Sequence, residues 1–173
     1  MKVATLADAL GLLGERKMFT LSELVSAVAG KVKGSWWSHP KGGLIYQIGS
    51  ALEDHADVLV VKLVEGRVTY VHRVLWPALL RVVTDAAWRK PRMAKLGADA
   101  KQVLAKVEKL GEVTPVAAKP RGELEKSLLV LSRSEHTSSG KHQTVLESWR
   151  HWMQRSGAKP SGSLDEALAL LGV

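Results

Sequence analysis

Few side chains in this sequence have the type and spacing to do covalent or metal chemistry. His136 and His142 frame a polar segment, with Glu135 beside it and Glu147 a little further on. Imidazole and carboxylate are ligand types that hold zinc and similar cations. The spacing of the two histidines across a glycine-containing loop matches no specific ligand pattern, so loop-capping histidines and no metal are expected. Ser138-Ser-Gly-Lys141 fits the S-x-x-K arrangement of serine acyl enzymes but lacks the companion motifs that complete such a site. A phosphate loop, a dinucleotide glycine fingerprint and a G-x-S-x-G elbow are missing. Glu53 and Asp54 form an exposed helix end, not a carboxylate pair in apolar surroundings. The chain has no cysteine, which excludes thiolate nucleophiles, disulfides and iron–sulfur ligation. No catalytic residue, metal or cofactor is expected, and an enzyme acting through His136 and His142 is the least supported class.

Charge and aromatic residues are more informative. The formal net charge of the 173 residues is +8. Most of the excess lies in residues 58–110, with 11 basic and 4 acidic side chains. Nothing acidic lies between Asp85 and Asp99, where Arg89, Lys90, Arg92 and Lys95 fall. A second acid-free stretch, between Glu23 and Glu53, holds Lys31, Lys33, His39 and Lys41. Localised positive charge attracts polyanions and steers their association. Within the second stretch, Gly34-Ser-Trp-Trp-Ser-His-Pro-Lys41 is the most distinctive segment. Adjacent Trp36 and Trp37 are hard to bury together in a loop. At least one of them can stack on a base or cover a partner pocket; the bland reading has one or both pin the loop onto the core, with the indole N–H bonded to backbone.

The elements that must position these residues follow from capping and periodicity. Thr5-Leu-Ala-Asp8 opens a short helix ending at Gly14, and the capping box Thr20-Leu-Ser-Glu23 opens a second, stopped at Gly30. Residues 31–43 read as a loop and 44–54 as a third helix. Ile45, Ile48, Gly49 and Leu52 face its core side, and Tyr46, Gln47, Ser50 and Glu53 face outward. Alternation then predicts strands over 58–64 and 67–74 around Glu65-Gly66. Lys62, Arg67, Thr69 and Arg73 define the wet face; Val68, Tyr70, His72 and Val74 point inward. Helices are expected over 78–88, 98–110 and 123–134, with a basic turn between the first two. Val145, Leu146, Trp149, Trp152 and Met153 mark a further helix face. The capping box Ser163-Leu-Asp-Glu166 opens the last helix. Residues 112–122, with two prolines and no periodicity, read as a linker. It divides residues 1–111 from a small helical region, 123–173.

Three helices followed by a two-stranded hairpin, over roughly residues 5–88, resemble a winged helix, the helix-turn-helix variant whose hairpin is the wing. The resemblance implies a third helix in a DNA groove and a wing on phosphate. The outward face of the third helix departs from that pattern: it offers Tyr46, Gln47, Ser50, Glu53 and Asp54 and no cation. Its N-terminal end is better supplied, with Lys41 ahead of Gln47. A second block, Leu128 through His136 and His142 to Trp149, is similar to a segment of bacterial proteins to which no activity attaches.

The expected fold is α+β and mainly helical, a winged helix with a two-stranded hairpin followed by additional helices. The expected function is DNA binding, in regulation or DNA maintenance, in a bacterial cytoplasm, mostly through phosphate. Arg67, Arg73, Arg89, Lys90, Arg92 and Lys95 would hold backbone, and Lys33, Trp36, His39, Lys41 and Gln47 would supply base contacts. RNA and a protein are the other partners this surface admits. The protein-partner reading is an interaction module with the Trp-rich loop or the Trp149/Trp152 face as hot spots. No apolar run approaches the ~20 residues that span a bilayer, so no membrane partner is expected, and Asp8 interrupts the N-terminal apolar stretch, so no secretory signal is expected.

Overall fold

A computed structural model describes residues 2–136 and 142–172; the side chains of His136 and His142 also lie outside what is described. The expectations for the His136/His142 loop and for Ser138–Lys141 therefore fall outside the described residues. The fold is α+β and mainly helical, and it divides into two compact units, Met1–Leu75 and Trp76–Val173. No helix among the described residues is long and apolar enough to cross a membrane.

The first unit runs α1 (Leu6–Arg16), β1 (Met18–Thr20), α2 (Leu21–Ala29), α3 (Gly42–Glu53), β2 (Val58–Val64) and β3 (Arg67–His72). The two capping boxes read from sequence form. Thr5 and Asp8 satisfy each other's backbone N–H groups at the start of α1, as Thr20 and Glu23 do at α2. Sequence reasoning missed β1. Lys17 leaves α1 in a left-handed conformation (φ 68°), which turns the chain into three extended residues. They pair antiparallel with β3, Phe19 opposite Tyr70, giving the sheet order β1-β3-β2. Leu12, Leu13, Phe19, Leu24, Ile45, Leu52 and Tyr70 make the core of this unit. Phe19 and Tyr70 meet at 5.4 Å between ring centroids. Burial pushes the Tyr70 hydroxyl up to about 12, with the Glu53 charge adding to it.

The hairpin corrects two expected orientations. Thr69 is buried rather than wet. Its Oγ1 donates to the Arg67 carbonyl (3.0 Å) and accepts from the Val64 N–H (3.4 Å), where the register shifts. A hydroxyl satisfied by its own backbone can leave water at little cost. Val74 is exposed rather than inward, because β3 ends at His72 and Arg73–Leu75 form a 3₁₀ turn that breaks the alternation.

The second unit holds α4 (Trp76–Val83), α5 (Ala86–Ala94), α6 (Ala98–Leu110), β4 (Glu112–Val113), α7 (Ala118–Lys126), β5 (Leu131–His136), β6 (His142–Glu147), α8 (Trp149–Ser156) and α9 (Leu164–Leu171). The helix expected over 78–88 is two helices. The Asp85 carboxylate accepts from the Trp88 N–H (2.9 Å) and starts α5, which turns the expected basic turn into helix. The helix expected over 123–134 ends at Lys126. Leu128 takes a positive φ of 53°, and the apolar run after it enters β5. Short apolar runs fit a strand and a buried helix equally well, so periodicity alone did not separate them. Val145 and Leu146 likewise belong to β6, and Ser148 caps α8 by accepting from the His151 N–H (3.2 Å). The stretch expected as a linker, 112–122, carries β4 and the start of α7, and β4 pairs with β6 in a sheet ordered β4-β6-β5.

Candidate nucleic-acid interface

The segment leading into α3 is a built turn. Trp36–Ser38 form one 3₁₀ turn. The His39 N–H donates to the Trp36 carbonyl (3.1 Å), and the Gly42 N–H donates to the His39 carbonyl (2.7 Å). His39 Nδ1 accepts from the Lys41 N–H at 3.1 Å. Lys41 Nζ reaches back to the Val28 carbonyl at the end of α2 (2.8 Å). Gly42 is required by proximity: a Cβ there would lie 2.9 Å from the carbonyl oxygens of both Trp36 and Trp37. The first turn of α3 is thereby held against the aromatic turn.

On this base stands a stack of three rings. Trp36 is half-buried against the core of the first unit, and Trp37 stacks on it with centroids 4.0 Å apart and planes inclined by 24°. Tyr46, one turn into α3, lies tilted at 5.7 Å from Trp37. Trp37 remains 64% exposed and Tyr46 49%. Trp36 also lines an open cavity of about 270 Å³ together with Leu21, Val25 and Val32. Lys31, Lys33 and Gln47 are exposed. Tyr46 and Lys31 were not in the sequence-derived site. The signal for Tyr46 was its place on the outward face of the third helix, one turn after the Trp-rich loop.

The structure thus brings Trp36, His39, Lys41 and Gln47 to the N-terminal end of α3, with Lys33 in the loop before it. It treats the expected phosphate contacts differently. Arg67 pairs with Glu65 (2.8 Å) and Arg73 with Asp57 (3.0 Å) at the exposed hairpin, pairs that water and salt weaken readily. Arg89 is 16% exposed; it binds Glu108 at 2.7 Å and the Val83 carbonyl at 3.0 Å. Arg92 Cζ lies over the Trp88 ring, 3.5 Å from its centroid, and the guanidinium donates to the Trp88 carbonyl (3.0 Å). Lys90 is exposed on α5 and Lys95 just after its end. Arg89 therefore ties α5 to α4 and α6, and Arg92 is engaged within its own helix, in ways charge counting does not reveal. The Trp149/Trp152 face is buried as well. The Trp149 Nε1–H donates to the Leu128 carbonyl at 2.8 Å, and Trp152 sits between the edges of Trp76 and Trp149.

The second unit also contains a buried carboxylate, Glu147, which the sequence offers only as a neighbour of the His136/His142 segment and whose partners it does not reveal. Glu147 is 1% exposed. Arg155 donates to it twice, at 2.7 and 2.8 Å, and Arg133 once at 3.2 Å. His151 Nδ1 lies 2.9 Å from its Oε1. Burial pushes this carboxyl up, but the hydrogen bonds from Arg155 and His151 and the charges of Arg155 and Arg133 outweigh it and hold it below its ordinary value. Glu112, Glu147 and His151 bring ligand atoms within 4.8 Å of one another. The donor set does not suit a cation, because two guanidinium groups already occupy the central carboxylate. It is an ion-pair network that ties β5, β6 and α8.

No protein-family model, curated protein or solved structure matches this chain.

Proposed function

We propose that the protein binds DNA through its first unit, as a winged-helix protein acting in regulation or DNA maintenance in the cytoplasm. The observation that carries this reading is the order helix, strand, helix, helix, strand, strand, with β1 completing the sheet beside β3. That is the order of a winged helix, in which the second helix of the helix-turn-helix meets DNA and the hairpin lies beside it. Charge supports it: residues 24–52 carry no acid, and exposed Lys31 and Lys33 lie in the loop before α3. The hairpin adds Arg67 and Arg73, whose surface pairs with Glu65 and Asp57 exchange easily for phosphate. Arg89 and Arg92 are left out of the contact set.

Anisotropy of labelled duplex DNA over a salt series tests the reading. Log affinity should fall with log salt at a slope of about −2 to −4, near −0.9 for each phosphate neutralised. The double variant Lys31→Glu, Lys33→Glu should weaken binding and flatten that slope. Absence of binding at low salt would overturn the proposal.

A protein-interaction module is the second reading. It is favoured by the exposed Trp37 and Tyr46 together with the carboxylates Glu53 and Asp54 on the same helix.

A further inference from the structure

Building on the DNA-binding reading, we infer that the Trp36–Trp37–Tyr46 stack is a platform for unpaired bases. The preferred ligand is then DNA with a single-stranded portion, not closed duplex. Three observations lead there.

The first is the distribution of charge along α3. The helix has no lysine or arginine, and Glu53 and Asp54 are exposed at its C-terminal end. Laid along a major groove, it would carry carboxylates toward phosphate. Reading a duplex edge-on needs donors along the helix, and Gln47 is the one amide it offers. DNA is better met at the other end, where the acid-free loop lies.

The second is the stack itself. That end of α3 presents π-surface: Trp37 is 64% exposed and Tyr46 49%, with Trp36 beneath Trp37 at 4.0 Å. Bases inside a duplex are stacked on one another and offer no face to such rings. An unpaired base does, and aromatic stacking serves every base because each has a π-face.

The third is rigidity. The platform is fixed by the 3₁₀ turn, by the Lys41 Nζ bond to Val28 and by the close approach at Gly42. A pre-ordered ring loses little conformational freedom on binding. Lys31 and Lys33 are exposed in the same loop, so the backbone next to a stacked base meets positive charge. Charge and rings together fit a single strand better than an apolar peptide.

The test uses the full chain and four labelled DNAs. They are a closed dumbbell duplex, a duplex with a thymidine overhang, the same duplex with an abasic overhang, and the free single strand. The thymidine overhang should bind about tenfold more tightly than the dumbbell, in the range expected for one stacked base. The abasic overhang should fall back to the dumbbell value. Trp37→Ala should bring the thymidine overhang down to the affinity of the dumbbell, and Trp37→Phe should restore most of the preference. Thermal melts should place both variants with the parent protein, since the ring is largely exposed. If all four DNAs bind alike and Trp37→Ala changes none of them, the platform is refuted while DNA binding stands. If none binds at low salt, both readings fail, and the rings belong to a protein partner.

Discussion

At the scale of single residues, the molecule separates cations that hold the fold from cations left to a partner. Arg89 and Lys90 are neighbours in α5, yet one is enclosed by Glu108 and the Val83 carbonyl and the other is exposed. Arg89→Ala should lower stability by about 1–2 kcal/mol, the range for a charge-assisted hydrogen bond with part-exposed partners. Lys90→Ala should leave denaturant midpoints unchanged; equal effects of the two would contradict this division. Gly42→Ala drives a methyl group into two carbonyl oxygens at 2.9 Å. A cost of about 1–3 kcal/mol is expected, as for other overpacked sites, with the Trp37 environment altered in near-UV circular dichroism. Glu147 sets a pH dependence. Its carboxyl titrates below the ordinary 4.5, so its contribution to stability is full above that value and is lost as the pH falls through the lowered one. Urea midpoints measured from pH 7 down to pH 3 should fall less steeply in Glu147→Gln. That variant should already be weaker at pH 7 by about 1–3 kcal/mol, because Arg155 loses its carboxylate partner while keeping partial access to water, and Arg133 keeps Glu112 and Glu135.

At the scale of elements, local signals work where the chain provides its own bonding partner. The boxes at Thr5/Asp8, Thr20/Glu23 and Ser163/Glu166 all form, since each needs only side chains within one turn. Thr20→Ala should cost about 1 kcal/mol, a typical price for a lost N-cap, seen as a lower thermal midpoint. Ser148 and Asp85 act the same way at α8 and α5, where no Glu or Gln three residues on completes a box. Without the completed box, the sequence reads as continuous helix through both positions, and the breaks are not legible in it. The strands fared differently. β1 is three residues long and contains no alternation to read, and it exists because β3 has a free edge to receive it. β5 and β6 pair from Leu131 opposite Glu147 to His136 opposite His142, a register set by partners distant in sequence.

At the scale of the whole molecule, the two units have separate cores and separate charge roles. The first carries the aromatic platform and the acid-free loop; the second carries the Glu147 network and the tryptophan cluster around Trp149. Salt should therefore act on binding through the first unit more than on stability. Raising salt from 50 to 200 mM should weaken DNA binding markedly, about tenfold or more for the slope expected here. The thermal midpoint should shift little, because the buried pairs at Glu147 are poorly screened. Composition, charge placement, the three capping boxes, the order of the first helices and the hairpin were legible in the residues themselves. These depend on neighbours within a turn or a hairpin, and so on local spacing. β1, all three strands of the second sheet, the burial of Thr69, the enclosure of Arg89 and the gathering of Arg133, His151 and Arg155 around Glu147 were not. Each depends on groups far apart in sequence whose desolvation is offset only when folding brings their partners into reach.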